Sequence, residues 1–297
     1  MHAIFRLDDR SLVHLQGSGA MALLKKLLCG NVRALEKECV LQSPMLNLQG
    51  GTMDNVLVYA DAPESYWLIV HECSREKDLR HIRKQAGDDV NIEDKASQVC
   101  LYAVVGPEAD VLTAGAPVYL RMRTDHMGAD SWLLCVQQAD VPAFETDMAQ
   151  HGAVLHAQAD LDLLMMENGV PAYGRELDDT INPLEVGLKK LVNLDRAGFI
   201  GREALVAAGE PRRGVIGLTL AEEGARRGFN VVHRDKDVGM VTSAAYSPRM
   251  KSCIALALVE KPYQDVGRRL MVEGEDRMIE AHVSALPFKP MEETEEA

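Results

Sequence analysis

The segment Glu167–Leu177 has the sequence ENGVPAYGREL, and two further glycine-containing blocks follow it, NPLEVGL at Asn182–Leu188 and FIGREAL at Phe199–Leu205. The apolar run Leu161–Met166 precedes the first block and predicts a helix that ends at Gly169, because glycine readily adopts the left-handed backbone of a helix C-terminus. We expect the other glycines to permit bends and the aromatic residues to fill the core.

Upstream of these blocks, short apolar strands alternate with amphipathic helices. The run Ala20–Leu28 places leucines at helical spacing beside two lysines and predicts a helix, with Ser18 as its N-cap. The run Asn47–Gly51 predicts a hairpin turn between two strands, because adjacent glycines permit positive φ. We therefore predict an α+β domain for residues 1–208.

The pattern changes at the linker-like run Ala207–Gly214, and the rest of the chain shows almost only strand signals. The final residues, 291–297, are expected to form a short acidic tail in solvent. Short apolar segments separated by turn signals predict a small antiparallel β-barrel over residues 209–290; they are Val215–Leu220, Val231–Val232, Val238–Thr242, Ile254–Val259, Leu270–Val272 and Ile279–Val283.

The composition limits the classes of function. The 297 residues carry a formal net charge of −13, which argues against binding to nucleic-acid phosphates or to an anionic membrane surface. The six cysteines form no CxxC pair and have no zinc-ligand spacing with histidine, so we predict no metal site. The sequence shows neither a signal peptide nor a long apolar segment, which predicts a cytoplasmic protein.

The three blocks together resemble the signature of the glycine cleavage T-protein and its relatives, the folate-binding aminomethyltransferases. That signature is E-x-G-x-P-x-Y-G-x-E-L, then P-x-E-x-G-L, then F-I-G-x-E-A-L. In the predicted barrel, Val238–Pro248 resembles the G-x-V-T-S-x-x-x-S-P turn of the same family. The resemblance therefore extends across both predicted domains.

The first half of the chain is similar to the family more loosely. Leu46–Asp54 resembles its N-x-x-G-G-x-x-D-D hairpin, and Arg123 with Gly128 and Asp130 resembles its R-T-G-Y-T-G-E-D-G-F-E segment. Leu7–Gly17 resembles the start of a sister branch, the folate-binding proteins that help to maintain iron–sulfur enzymes.

The resemblance implies a folate-binding domain around a central hole, with the C-terminal barrel packed alongside. It also implies a tetrahydrofolate-dependent transferase or demethylase that takes a methyl or aminomethyl group from a small-molecule donor. Such catalysis depends mostly on positioning and electrostatic support. Three alternatives stay open: a non-enzymatic folate-binding protein, an iron–sulfur maintenance protein like the sister branch, and a pseudoenzyme subunit that contacts a protein partner.

The chain departs from the family and from its sister branch at several places. Asn55 stands where the resemblance implies an acidic residue beside folate N10, and an amide cannot act as a general base. Leu133 stands where the family has the glutamate that holds the pterin. The stretch Arg196–Glu203 lacks the reactive cysteine of the sister branch, so the iron–sulfur alternative loses its main support.

Nine polar residues are candidates for the functional site. Asp54, Asn55 and His126 are the predicted catalytic residues, with turn formation or an exposed loop position as the structural alternatives. Six further residues are predicted to bind the folate, with capping, ion pairing or core packing as the alternatives: His71, Ser74, Arg123, Glu167, Tyr173 and Arg227.

Overall fold

The computed structural model describes residues 2–32, 35, 40–106, 109–127 and 131–289. The chain divides into two compact units. The sheet unit contains Met1–Leu161, Asp178–Pro183 and Lys189–Ala208, and the barrel unit contains Asp162–Leu177, Leu184–Leu188 and Gly209–Ala297. The predicted domain ranges, 1–208 and 209–290, stay a prediction. Gly128, Asp130 and the predicted acidic tail lie outside the described residues.

The described strands of the sheet unit form two five-stranded sheets. The first sheet has the order β3-β4-β5-β2-β6 and is antiparallel throughout, and the second has the order β10-β1-β7-β9-β8 with β1 and β10 parallel. The strands are β1 His2–Arg6, β2 Arg10–Gln16, β3 Leu41–Leu46, β4 Thr52–Ala62, β5 Ser65–His71, β6 Asn91–Asp94, β7 Val99–Val105, β8 Leu120–Thr124, β9 Ser131–Gln137 and β10 Ala153–His156.

The first predicted helix forms because its apolar residues recur at i, i+3, i+4 and i+7, which places one face in the core. Gly19 occupies its N-cap and no side chain caps it, so the prediction of Ser18 as the N-cap is wrong. Ser18 lies one residue too early for the cap position. The helices are α1 Ala20–Leu27, α2 Arg75–Gln85, α3 Ala109–Thr113, α4 Val141–Gln150, α5 Gln158–Glu167 and α6 Arg202–Ala208.

Helices cover one face of each sheet. In the first sheet, Val56 and Val58 pack in the same core as the buried leucines of α1 and α2. In the second sheet, Trp132 and Leu134 pack in a core with Phe144 of α4. The opposite faces are also buried and strands β2 and β7 of the two sheets contact each other, so we infer that the sheets pack face to face.

The barrel unit contains a closed antiparallel barrel of order β11-β14-β13-β12-β15-β16. Alternate residues of its strands fill the interior, and irregular pairing near Val231 and Val241 helps the strands to bend. The prediction of an α+β architecture followed by a small antiparallel barrel is confirmed. The strands are β11 Arg213–Leu220, β12 Asn230–His233, β13 Lys236–Ser247, β14 Ser252–Glu260, β15 Arg269–Glu273 and β16 Met278–Ser284.

The predicted hairpin turn at Asn47–Gly51 connects β3 to β4 and anchors a distant segment. The Asn47 side chain accepts hydrogen bonds from the N–H groups of Gln49 and Gly51, and its amide donates to the Asp179 carbonyl at 2.8 Å. A Cβ atom on Gly51 would lie 1.8 Å from the same carbonyl oxygen. Glycine is therefore required here, because the two backbones approach too closely for any side chain.

We expect Gly51→Ala to lower the free energy of unfolding by about 2 kcal/mol or more, because the backbone must shift to relieve the clash. Gly115→Ala is the matched control, since a Cβ on Gly115 meets no described atom within 4 Å. Urea denaturation of both variants measures the difference. Equal stability of the two variants would contradict the close approach.

Candidate active site

A row of polar side chains follows an apolar row on the inner face of the first sheet. Leu12, Ile69 and Leu57 lie side by side on β2, β5 and β4 and are buried. Two residues further along, Arg10 pairs with His71, and Asn55 occupies the corresponding position on β4. Because side chains alternate across a strand, these three residues share the face of the apolar row. We call Arg10, His71 and Asn55 the polar row.

Asp54 lies directly behind the polar row, on the face that the helices cover. Its side chain is fully buried, and its Oδ1 accepts a hydrogen bond from the N–H of Asn55 at 2.7 Å. Its Oδ2 accepts one from the N–H of His71 at 2.9 Å and one from Ser74 Oγ at 3.1 Å. His71 Nδ1 also contacts Asp54 Oδ1. Both oxygens of this buried carboxylate are thus satisfied.

Asp54 and Asp78 form a buried pair whose pKa values are shifted in opposite directions. Burial alone would raise the pKa of Asp54, but its contact with His71 and the hydrogen bonds it accepts keep that pKa below the usual value. Burial, and then the negative charge of Asp54, raise the pKa of Asp78 to about 9. At neutral pH the site therefore holds one carboxylate and one neutral carboxylic acid.

Ser74 connects the two carboxyl groups. Its Oγ lies 3.1 Å from Asp54 Oδ2 and 2.6 Å from Asp78 Oδ2. A hydroxyl has a single proton, so a protonated Asp78 donates to Ser74 while Ser74 donates to Asp54. This chain of hydrogen bonds ties α2 to the first sheet.

His71 is a buried residue of the polar row. Burial of the ring, and then the positive charge of Arg10, lower the pKa of His71, although Asp54 acts in the opposite direction. Arg10 Nη1 lies 3.3 Å from His71 Nδ1. We assign the ring proton to Nδ1, because the nearest acceptor to that nitrogen is the Asp54 carboxylate.

His126 follows strand β8 and lies close enough to Arg10 and His71 for their charges to affect it. Protein atoms enclose much of the ring although part of the residue still meets solvent, and this burial is the main reason that the pKa of His126 is lowered. Thr124 Oγ1 lies 3.0 Å from its Nδ1. His126 is therefore a neutral imidazole at neutral pH. It lies near Arg10 and His71 of the polar row.

Asn55 has a buried carbonyl that needs a partner. The residue is only 5% exposed, and no described residue hydrogen-bonds its Oδ1. A buried carbonyl without a partner costs about 1–3 kcal/mol, so this atom is where a bound N–H group would be stabilised. Leu133, in contrast, is fully buried beside Ala103 and Met122, where it offers no acceptor.

The remaining predicted residues have other surroundings. Arg123 is exposed on β8. Glu167, Tyr173 and Arg227 belong to the barrel unit, where Arg227 is exposed and Tyr173 is half-buried. The Glu167 carboxylate accepts hydrogen bonds from Ser247 Oγ and from Arg249 Nε, the latter at 2.7 Å. A folate-binding role for these four residues stays a prediction.

Arg10 and Asp78, which contact His71 and Ser74, were not among the predicted site residues. Arg10 follows two aspartates in an ordinary charged stretch, and only its pairing with His71 makes it part of the polar row. Asp78 is a helical residue, and the spacing Ser74-x-x-x-Asp78 was the one signal of its contact with Ser74.

Within the described ranges, no three His, Cys, Asp or Glu side chains gather as metal ligands. No helix in these ranges combines the length and the apolar surface of a bilayer crossing.

Known proteins share this architecture. The family model described as the GCVT N-terminal domain matches residues 3–117, and the glycine cleavage T-protein C-terminal barrel domain matches residues 213–289. The aminomethyltransferase of Alkaliphilus oremlandii is 30% identical, over 96% of this chain and 85% of the relative. That of Moorella thermoacetica is also 30% identical, over 96% of this chain and 86% of the relative.

A solved structure gives the same result for the fold. The crystal structure of glycine cleavage system aminomethyltransferase T from Bartonella henselae superimposes with a TM-score of 0.89 at 20% identity, over 97% of this chain and 86% of that protein. Two five-stranded sheets in one unit and a six-stranded closed barrel in the other thus define the T-protein class of fold. The chain belongs to the glycine cleavage T-protein, or aminomethyltransferase, family, which confirms the resemblance of the three sequence blocks.

We expect Asp54→Asn to lower the free energy of unfolding at pH 7 by about 3 kcal/mol, because its amide group would face donors that the carboxylate satisfies. Asp78→Asn should raise it, since an amide resembles the neutral acid already present and does not have to take up a proton on folding. Urea denaturation of both variants checks this. A loss of similar size in both would show that the two carboxyls do not differ in charge.

The contribution of Asp78 to the stability of the protein should fall as the pH rises from about 4 towards 9. The folded protein keeps a proton on Asp78 up to a pKa of about 9, whereas the unfolded chain releases it near pH 4. This group alone therefore lowers the free energy of unfolding by up to about 1.4 kcal/mol per pH unit in that window. The lowered pKa of Asp54 acts only below about pH 4, where its contribution is lost on acidification.

The difference in stability between Asp78→Asn and the wild type isolates this effect, because the contribution of Asp54 does not change with pH above about pH 5. That difference should grow from pH 5 to pH 8 in urea denaturation. A constant difference would mean that Asp78 is already ionised in the folded protein.

Proposed function

We propose that this protein is a tetrahydrofolate-dependent one-carbon transferase of the T-protein type, which takes an aminomethyl or methyl group from a small-molecule amine donor in the cytoplasm. Two observations support it. The chain matches aminomethyltransferases over nearly its whole length. Asn55, at the position where the family resemblance implies the group beside folate N10, is buried with a carbonyl that no described residue satisfies. This unsatisfied carbonyl is the observation that carries the proposal.

The residues of the polar row suit a polar nitrogen-containing ligand. Asn55 Oδ1 can accept a hydrogen bond from an N–H group and so orient it. The apolar row, which lies next to it on the same face, excludes water from that contact. Arg10 adds a positive charge that favours an anionic part of the ligand. Leu133 supplies apolar contact but no carboxylate, so any pterin beside it would be held by shape and stacking. When bound, tetrahydrofolate supplies the nitrogen that accepts the carbon.

The amide at position 55 favours methyl transfer as a second candidate. An amide can orient a nitrogen but cannot take a proton from it. Methyl transfer to folate N5 does not require an acid beside N10, whereas the family resemblance implies one for aminomethyl transfer. A demethylase acting on a methylated amine is therefore the specific alternative that Asn55 supports.

We expect calorimetric titration to show micromolar binding of tetrahydrofolate, weakened at least about tenfold by Asn55→Ala. Loss of one hydrogen bond to a buried group accounts for a change of that size. Asn91→Ala is the matched control, because Asn91 is an exposed residue of the same sheet. No binding by the wild type at millimolar folate would contradict the proposal.

The folate product identifies the donor. Formation of 5-methyltetrahydrofolate from a methylated amine indicates a demethylase, and formation of methylenetetrahydrofolate from an aminomethyl donor indicates an aminomethyltransferase. We expect Asn55→Asp to raise the rate with an aminomethyl donor by about 10- to 100-fold, since a positioned proton-transfer group contributes on the order of 100-fold or more. Chromatography of the folate products measures both. An unchanged rate in Asn55→Asp would mean that position 55 does not face the reacting nitrogen.

A further inference from the structure

The turn between β1 and β2 has an arginine on each side. Arg6 is the last residue of β1 in the second sheet, and Arg10 is the first residue of β2 in the first sheet. The Arg10 N–H donates to the Leu7 carbonyl at 3.3 Å and so closes the turn. Both arginines line one cavity of about 530 Å³ within the sheet unit. A volume of this size is typical of sites for small molecules.

The acidic side chains that line this cavity already have donors. Arg75 donates from Nε to Glu72 and from Nη1 to Asp94. Arg6 donates from Nε to Asp8 at 2.8 Å. The negative charges of the lining are therefore paired with arginines of the same cavity, and they leave little demand for a bound cation.

The two arginines beside the turn, in contrast, have N–H groups to spare. Arg6 bonds through Nε, and no described residue accepts a hydrogen bond from its Nη1 or Nη2. Arg10 Nη1 lies 3.3 Å from His71 Nδ1 and its Nε lies 3.4 Å from Asp9, but its Nη2 has no acceptor among the described residues. The Arg10 side chain is only 9% exposed. A guanidinium so far from bulk water favours an anion, because few water molecules compete for its donors.

We propose that this cavity binds the carboxylate group of a small organic anion, held by the guanidinium groups of Arg6 and Arg10. The planar fork of a guanidinium matches the two oxygens of a carboxylate. The side chains of Leu7, Val99 and Leu101 also line the cavity and suit a short hydrocarbon body. The inference does not depend on the proposed function, because a carboxylate on any small molecule satisfies it.

A carboxylate suits the charge of the cavity better than a phosphate does. Three arginines and three carboxylates line the cavity, so its positive charge is limited. A carboxylate brings one negative charge, whereas a phosphate monoester brings about 1.5 to 2 at pH 7. Asp8 and Glu72 therefore oppose a phosphate more strongly than a carboxylate.

Calorimetric titration at low ionic strength is the first test. The probes are butyrate, a small organic acid, and p-aminobenzoylglutamate, which carries the carboxylates of a folate. We expect at least one probe to bind with a millimolar or lower Kd, and Arg6→Gln to weaken that binding by at least about tenfold. Arg83→Gln is the matched control and should leave the Kd unchanged, because Arg83 is an exposed residue of α2 that does not line the cavity.

The two probes distinguish the sources of the carboxylate. Binding of butyrate would show that a free organic acid is sufficient, and binding of p-aminobenzoylglutamate alone would identify a folate tail as the ligand. Binding of neither probe, equal binding by Arg6→Gln and the wild type, or tighter binding of inorganic phosphate would overturn the inference. Butyrate has no nitrogen for Asn55 to bind, so loss of the folate proposal would leave its binding unaffected.

A second measurement uses the wild-type protein. Arg6→Gln should fold normally, since the ion pair with Asp8 that it loses is exposed and contributes little to stability. In ¹⁵N-labelled wild type, a bound probe should shift the Nε–H resonances of Arg6 and Arg10, each assigned by its loss in the corresponding glutamine variant. Unchanged resonances at a saturating concentration of the probe would place the carboxylate elsewhere and overturn the inference.

Discussion

The Asp54 carboxylate is the interaction on which the arrangement of the site depends. An ionised carboxylate away from water is stable only when its oxygens accept hydrogen bonds, and here the donors come from β4, from the end of β5 and from the start of α2. A single buried charge thus fixes the positions of three elements relative to one another. The orientation of His71 and the neutral state of Asp78 both follow from it.

The barrel unit uses the same kind of contact for a structural purpose. Two carboxylates of its connecting segment, Glu167 and Glu176, each accept a hydrogen bond from a serine of β13, Ser247 and Ser243 respectively. Both glutamates are buried, and Glu167 gains a second donor in Arg249. These serines lie in the segment that resembles the family's barrel turn, so the similarity of the sequence there has a physical basis in the packing of the unit.

The protein combines the frame of its family with different residues at two positions, Asn55 in the first sheet and Leu133 in the second. Leu133 has become part of the apolar core, and Asn55 keeps a polar but non-titrating group in the polar row. Such replacements preserve the fold because they leave the strand register and the volume of the core nearly unchanged. At position 55 an amide can orient a nitrogen but cannot take a proton from it.

The amino-acid sequence alone determined the order of the architecture and supplied candidate residues for the site. Periodicity and turn signals were sufficient for the α+β half, for the barrel strands and for the Asn47–Gly51 hairpin, because these depend on residues close together in the chain. The Ser18 cap was wrong because a cap depends on the backbone angles of one residue, which composition does not specify. Asp54, His71 and Ser74 were all candidates, but as separate residues with separate roles.

Only the tertiary structure decided how those residues act together. His71 and Arg10 are 61 residues apart in sequence, and Asp54 and His71 are 17 apart, so their contacts depend on strand register and not on any local motif. The register also decides which face each side chain occupies, and therefore why Asp54 cannot substitute for Asn55 directly. Burial then determines charge, because the same aspartic acid side chain is ionised where donors surround it, at Asp54, and neutral where a second carboxylate lies beside it, at Asp78.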